Sequence, residues 1–373
     1  MDFNRLRLKY HGNPAKLDEV LQAECRHKCA RKLPDLLSIE GFRFPSTALA
    51  EMSTSEAVAA VHASMIQPGE TVLDMTLGLG VDAFAMSRRG AIVTGIDIDP
   101  AATREATHNA ALLGLTDIRI INADSIGWLS ADPSRHFAAI FIDPQRRDSS
   151  GRHFALSDCV PDITRSADLL LSRCRRLIIK MSPMVDISAV ASELSVSHCH
   201  IVIIGTAKEC KEVVMITGRE ITSGLVECVT IGHHSLTFTP GSGETAPTYA
   251  TPQPGQFLLE PYPSVMKGAS AGSLRHIPYP KLAPNTHLFL SDTATDTFPG
   301  ERMEIMEVMP FSKAVIKGFS KRYPVINVAT RNFPLPAPEL ARRLKVREGG
   351  DRMLHGATLA DGSRVLIITS MPC

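Results

Sequence analysis

The sequence predicts an α/β protein organised around a largely parallel sheet, and two observations carry that expectation. Between Thr71 and Asp148 four short apolar runs alternate with helix-like segments or loops: Thr71 to Met75, Ala91 to Ile96, Ile118 to Asn122 and Ala138 to Ile142. Each run ends in an acidic residue or just before one. Asp74, Asp97, Asp124 and Asp143 then fall side by side at the carboxyl edge of the sheet, where open α/β folds bind their ligands.

Bulk properties narrow the class. A chain of 373 residues implies two or three domains, and 44% hydrophobic with 21% charged residues supports well-buried cores. The net charge of +1 excludes a strong field over the whole molecule, leaving only local patches for nucleic acid. The N-terminus lacks an apolar signal region and no apolar run approaches the roughly 20 residues of a spanning helix, so a soluble cytoplasmic protein without a membrane partner is expected. The 8 Cys are irregularly spaced with no C-x-x-C pair, and no metal is expected. Cys25 and Cys29 read as small core residues.

Residues 14 to 37 read as one helix, with Val20, Leu21, Cys25, Ala30 and Leu33 on an apolar stripe beside Arg26, Lys28, Arg31 and Lys32. That basic face is either solvated or an RNA contact. Ser53-Thr54-Ser55-Glu56 has the form of a capping box opening a helix through Ile66, with Ser55 or Glu56 near the glycine loop that follows the first strand, and Pro68-Gly69 turns the chain into that strand. The loop Thr76-Leu77-Gly78-Leu79-Gly80 permits close backbone approach to a ligand. A nucleoside carrying a ribose diol, an exocyclic amine and an ammonium group suits the carboxylate row, and S-adenosylmethionine has all three. Asp97 would accept the ribose hydroxyls and Asp124 the adenine amine, with Asp74 toward the amino-acid end, directly or through water, and Thr76 in the binding loop. Asp99, before Pro100, reads as a helix N-cap. Gly78 to Ala83 also fits the dinucleotide pattern G-x-G-x-x-G/A, which leaves a dehydrogenase as a competing reading. That reading does not account for a fourth strand ending in Asp143-Pro144.

Beyond the fourth strand, Asp143 and the Pro144 carbonyl can accept bonds from an amine, while Arg146 can stack on a base or bind a phosphate. Alternatively, Arg146 and Arg147 pair with Asp148, Asp158 or Asp162 to pin a loop. Asp162 to Leu171 reads as a helix and Arg176 to Met181 as a fifth strand, with Lys180 either near a substrate phosphate or snorkelling at the surface. His200 to Gly205 and Glu212 to Gly218 form a strand pair. Residues 240 to 256 read as a linker or long loop. Positive charge is concentrated at the C-terminal end: residues 317 to 352 hold 9 Lys+Arg against 3 Asp+Glu. A short helix near Pro338 to Leu344 precedes a hairpin that turns at Asp361-Gly362.

These motifs resemble the class I S-adenosylmethionine-dependent methyltransferases over roughly Ser53 to Gly218. Asp74, Gly78 and Gly80 match that family's first motif, with Thr76 where a glycine is commonest. Asp97 matches its ribose position, Asp124 its adenine side and Asp143-Pro144 the opening of its fourth motif. With DPQRRD, LAPNTH, TRNFPLP and LKVREGGD, nearly the whole chain is similar to the bacterial members that carry a C-terminal THUMP-like domain. The resemblance implies a Rossmann-like catalytic sheet over 53–239, preceded by a helical segment over 1–52. After the 240–256 linker it implies a ferredoxin-like α+β segment over 257–316 and a THUMP-like domain over 317–373. It implies S-adenosyl-L-methionine as cofactor and methylation of a base in structured RNA, tRNA or rRNA, with an exocyclic amine as an acceptor that Asp143 and Pro144 can hold. Lys317, Lys321, Arg322, Arg331, Arg342, Arg343, Lys345 and Arg347 are the candidate phosphate contacts. Gln145 and Arg146 stand where the amino-methyltransferases have a second proline and an aromatic. That departure motivates the alternative of a non-catalytic RNA-binding protein on a methyltransferase scaffold.

Overall fold

The computed structural model describes residues 1–146, 156 and 159–372. They fall into two compact units, Met1–Ile204 with Glu212–Gly224, and Gly205–Lys211 with Leu225–Cys373.

The first unit opens with helices α1 (Phe3–Lys9), α2 (Pro14–Cys29), α3 (Pro34–Leu37), α4 (Thr47–Met52) and α5 (Glu56–Ser64). The single helix expected over residues 14–37 is therefore interrupted. Pro34 has no N–H to donate and disfavours helical geometry in the residue before it; Leu33 sits at φ −130°, ψ 48°. Val20, Cys25, Cys29 and Leu33 are buried, but Ala30 is exposed. Burial pushes the Cys25 thiol up to about 12, as befits a core residue. Much of the basic face is neither free in solvent nor available to RNA: Arg26 donates to the carbonyls of Leu37 and Phe42, Lys28 pairs with Glu24 and Glu51, and Lys32 donates to the carbonyls of Glu51 and Ser53. The expected capping box is displaced as well. Ser55, not Ser53, caps α5, while Glu56 reaches back to accept the N–H groups of Asp35 and Leu36 at the start of α3.

The segment is fastened to the sheet domain at Arg43. Its backbone N–H and C=O bond the buried Asn109 side chain at 2.9 and 2.8 Å, and its guanidinium pairs with Glu105 and Asp18. Phe42 and Phe44 on either side are buried and meet edge to face.

The sheet follows from β1 (Thr71–Asp74), α6 (Val81–Arg88), β2 (Ile92–Asp97), α7 (Pro100–Leu112), β3 (Ile118–Asn122), α8 (Ser125–Ser130) and β4 (Phe137–Ile142). Short strands β5 (Gln145–Arg146) and β6 (Cys159–Val160) pair with each other, and α9 (Ile163–Arg173), β7 (Cys174–Met181), α10 (Ile187–Glu193), β8 (His200–Gly205) and β9 (Cys210–Thr217) complete the unit. The strands run in the order β3-β2-β1-β4-β7-β9-β8, with β9 antiparallel to β7. β1 is parallel to β2 and β4, in register with Asp74 opposite Gly95 and Phe141. Strand ends are thus nearly level, and the acidic residues share one edge. β4 is buried from Ala138 to Ile142, as a central strand covered on both faces should be.

The second unit contains the hairpin β10 (Leu225–Thr230) and β11 (Leu236–Phe238), then β12 (Phe257–Pro261), α11 (Pro263–Lys267), β13 (Lys281–Ala283), β14 (Thr286–Ser291) and β15 (Gly300–Pro310). Next come α12 (Lys313–Arg322), β16 (Asn327–Arg331), α13 (Ala337–Leu344), β17 (Arg352–Thr358) and β18 (Arg364–Ser370). A second sheet has the order β13-β14-β12-β15-β18-β17-β16. β15 pairs with β12 through its first half and with β18 through its second, so one long strand joins two cores. The hairpin turn at Asp361-Gly362 is present, with Gly362 at φ +82°. Residues 240–256 are stitched to this unit by Thr245 and Ala250, whose N–H groups bond the Arg275 and Lys281 carbonyls. No helix among the described residues is long and apolar enough to cross a membrane.

Candidate functional site

The sequence-predicted residues of the first unit converge on a cleft of about 460 Å³ at the carboxyl edge of its sheet. Thr76, Gly78, Gly80, Asp97, Asp124 and Asp143 all line it, together with Leu49 and Met52 from the N-terminal segment and Ser53 and Thr54 just after it. Asp74 and Pro144 do not line it, and both are buried. Arg146 lies in β5; Arg147 and two of the suggested partners, Asp148 and Asp158, lie outside the described residues, and the third, Asp162, caps α9.

On the β1–β3 side, backbone amides hold the carboxylates. Asp97 accepts the Gly78 N–H on Oδ2 at 2.7 Å and the Asp99 N–H on Oδ1 at 2.9 Å. Gly78 adopts φ +53°, the left-handed conformation that lets its N–H turn toward Asp97. Gly80 is tighter still: at φ +89° it caps α6, and a Cβ there would meet the Phe84 ring at 2.6 Å. Asp99 caps α7, as the sequence suggests, and Asp124 caps α8 through the Gly127 N–H at 2.9 Å. Asp74 has only 1% of its surface exposed and accepts the Thr76 N–H. Burial, with the charges of Asp82, Asp143 and Asp97, pushes its carboxyl up to about 8 against that one bond.

On the β4, β7 and β9 side, other side chains hold the carboxylates. Thr76 Oγ1 accepts the Asp143 N–H at 2.7 Å, fixing the end of β4 over the cofactor loop. Lys180, at the end of β7, donates to Asp143 Oδ2 at 2.8 Å and Thr54 Oγ1 at 3.1 Å and lies 3.5 Å from Glu212. It neither snorkels nor stands ready for a phosphate: its side chain is 12% accessible. Behind it, His62 of α5 bridges Asp82 and Glu212, with Nδ1 2.7 Å from Asp82 Oδ1 and Nε2 on Glu212 Oε1. Burial by itself pulls the imidazole down, but Asp82 and Glu212 outweigh it and hold it at about 9. Burial also opposes ionisation of Asp82, yet His62, Lys180 and Thr54 keep its carboxyl below the ordinary range. Sequence reading did not identify His62, Asp82, Thr54 or Glu212. The available signal was polar side chains inside apolar runs, His62 in Glu56–Ser64 and Glu212 ahead of Val213–Ile216.

The cleft fits the expected cofactor. Each Asp97 oxygen keeps a second lone pair beyond its backbone bond, the glycine loop leaves its backbone open to the cleft, and the volume is that of a small-ligand site. Among the described residues no cluster of His, Cys, Asp and Glu has the arrangement of a metal site.

The C-terminal candidates are all exposed. Lys317, Lys321 and Arg322 lie on α12, Arg342 and Arg343 on α13, and Lys345 and Arg347 just beyond it. Both helices bury Phe319, Leu340 and Leu344 in one core, which turns their basic faces outward. Two of the eight are committed elsewhere: Arg322 pairs with Glu307, and Arg331, at the end of β16, with Glu260.

Comparison with known proteins bears on both units. A ferredoxin-like domain family matches residues 257–299 and a THUMP domain-like family residues 300–371. A crystal structure from Porphyromonas gingivalis W83, of a protein assigned as a methyltransferase, superposes with a TM-score of 0.86 at 27% identity, covering 99% of this chain and 94% of that one. An uncharacterised S-adenosylmethionine-dependent methyltransferase of Mycobacterium tuberculosis is 30% identical over 168 residues, 44% of each chain. A 23S rRNA (uracil(1939)-C(5))-methyltransferase of Shewanella sp. (strain ANA-3) is 32% identical over 81 residues, 21% of this chain and 18% of its own. The chain thus spans less than half the length of these curated relatives.

Proposed function

We propose, because the chain belongs to the class I methyltransferase-fold family that carries C-terminal ferredoxin-like and THUMP-like domains, that it is an S-adenosylmethionine-dependent methyltransferase acting on structured RNA. The observation that carries the cofactor half is Asp97: a carboxylate at the tip of β2, pinned by the Gly78 and Asp99 N–H groups, on the wall of the cleft. It would accept the ribose diol, while Asp124 and Ser125 at the start of α8 border the adenine end. When bound, the cofactor supplies a methyl group already activated on a sulfonium. The chain's task is then to orient an acceptor and manage its charge, and orientation alone can contribute ~7 to 11 kcal/mol. Asp143, which lines the same cleft, would meet the acceptor.

RNA as substrate is supported by the exposed basic faces of α12 and α13, by the THUMP domain-like match, and by the rRNA methyltransferase among the relatives. Calorimetric titration with S-adenosylhomocysteine tests the cofactor: the wild type should bind in the micromolar range and Asp97→Ala should weaken binding about 100-fold or more. Transfer of labelled methyl to RNase-sensitive material tests the substrate. Binding of RNA without incorporation would favour the non-catalytic scaffold, and label in protein would redirect the assignment.

A further inference from the structure

The acceptor side of the cleft already contains a cation. Lys180 Nζ is 2.8 Å from Asp143 Oδ2 and is held from behind by Thr54 and Glu212. The lysine is nearly enclosed, whereas the Asp143 side chain is 39% accessible and faces the cleft. An ammonium thus already sits on one oxygen of the carboxylate to which an amine acceptor would bond. Burial favours the neutral lysine, but Asp143, Glu212 and Asp82 outweigh it and raise Lys180 above its ordinary range. The described residues that line the cleft include no aromatic ring on which a target base could stack.

We propose, resting on the reading that this chain methylates RNA, that the acceptor is an oxygen, the ribose 2′-hydroxyl, within reach of both Lys180 and Asp143. An amine that attacks a methyl group becomes an ammonium, and a second cation within bonding reach opposes that charge. A hydroxyl does the reverse. It sheds its proton as the new bond forms, so its oxygen gains negative charge that Lys180 stabilises while Asp143 receives the proton. An oxygen lone pair makes the O–CH3 bond, the C–S electron pair stays with the departing thioether sulfur, and the hydroxyl proton passes through Asp143 to solvent. Within an RNA strand the 2′-hydroxyl is the sugar hydroxyl not used in the backbone linkage, and it requires no stacking partner. Glu212 acts as a positioning residue, with one oxygen toward Lys180 and the other on His62.

Total RNA from a strain lacking the protein, incubated with the full chain and methyl-labelled donor and then digested to nucleosides, gives the first readout. Label should appear in ribose-methylated nucleosides. Lys180→Met should lower kcat by about 100-fold or more with S-adenosylhomocysteine affinity changed less than about threefold, and Lys180→Arg, which keeps the charge, should retain more activity. Label on a base would overturn the oxygen acceptor and leave the RNA reading standing. No label in RNA from a protein that still binds S-adenosylhomocysteine would remove the RNA reading and this proposal with it. A second readout needs no turnover: carbon-13 NMR of the Lys180 side chain in donor-free protein should report an ammonium up to about pH 10. Loss of its proton near neutral pH would overturn the proposal.

Discussion

Along the half of the strand edge built from β1 to β3, Asp97 and Asp124 are held by backbone N–H groups no more than 19 residues away. Along the half built from β4, β7 and β9, Asp143 and Glu212 are held by Lys180 and His62, and the His62–Glu212 bond spans 150 residues. Backbone support depends on where the chain turns and persists whichever side chains surround it. Side-chain support is cooperative and titratable, because each charge in a desolvated cluster depends on its neighbours. The first arrangement suits a site for a fixed cofactor. The second suits a site that must move a proton.

That contrast can be broken by mutation. Asp82→Ala removes one of the two partners of His62 and the acceptor of the Thr54 hydroxyl, so it should cost about 3 to 5 kcal/mol of stability in urea denaturation, as breaking a buried pair does. An effect no larger than that of losing a helix cap would mean the network is looser than its geometry implies. The pH dependence comes next in size. His62, held at about 9 against an unfolded value of 6.5, contributes stability that is fully present below about pH 6.5 and lost as pH rises through about 9. The difference corresponds to something on the order of 3 kcal/mol. Thermal melts of the wild type should fall across that window, and His62→Gln should flatten the fall. Asp74, raised to about 8, adds its own decline beginning nearer pH 4, so the variant curve should keep a slope at lower pH. Smallest is Asp124→Ala, which deletes one cap and should cost about 1 kcal/mol with little dependence on pH, measured by the same melts.

The same contrast explains what was legible in the sequence. Asp74, Gly78, Gly80 and Asp97 belong to short strand–turn–helix units, where spacing alone reports geometry, and the strand edge follows from it. The Asp361-Gly362 hairpin and the Asp99 cap were readable for the same local reason. The charged network was not. Lys180 meets Thr54 across 126 residues, and nothing in either neighbourhood identifies the other. Local rules also failed where two of them competed: Ser53 and Ser55 both offered a cap, and Glu56 was drawn to α3 because its N–H groups lacked another acceptor. A helix pattern over residues 14–37 similarly hid the stop imposed by Pro34.

The Arg43 junction has a consequence for how this protein can be divided or recombined. Asn109 on α7 is fully buried and bonds both backbone groups of Arg43, while Phe42 and Phe44 fill the adjoining core. A shortened chain starting at Ser53 would strand a buried amide without its partners, take Arg43 from Glu105, open an apolar face, and strip Leu49 and Met52 from the cleft wall. The first 52 residues therefore behave as part of the sheet domain's foundation, and the junction depends on the Asn109 amide more than on which side chain stands at position 43.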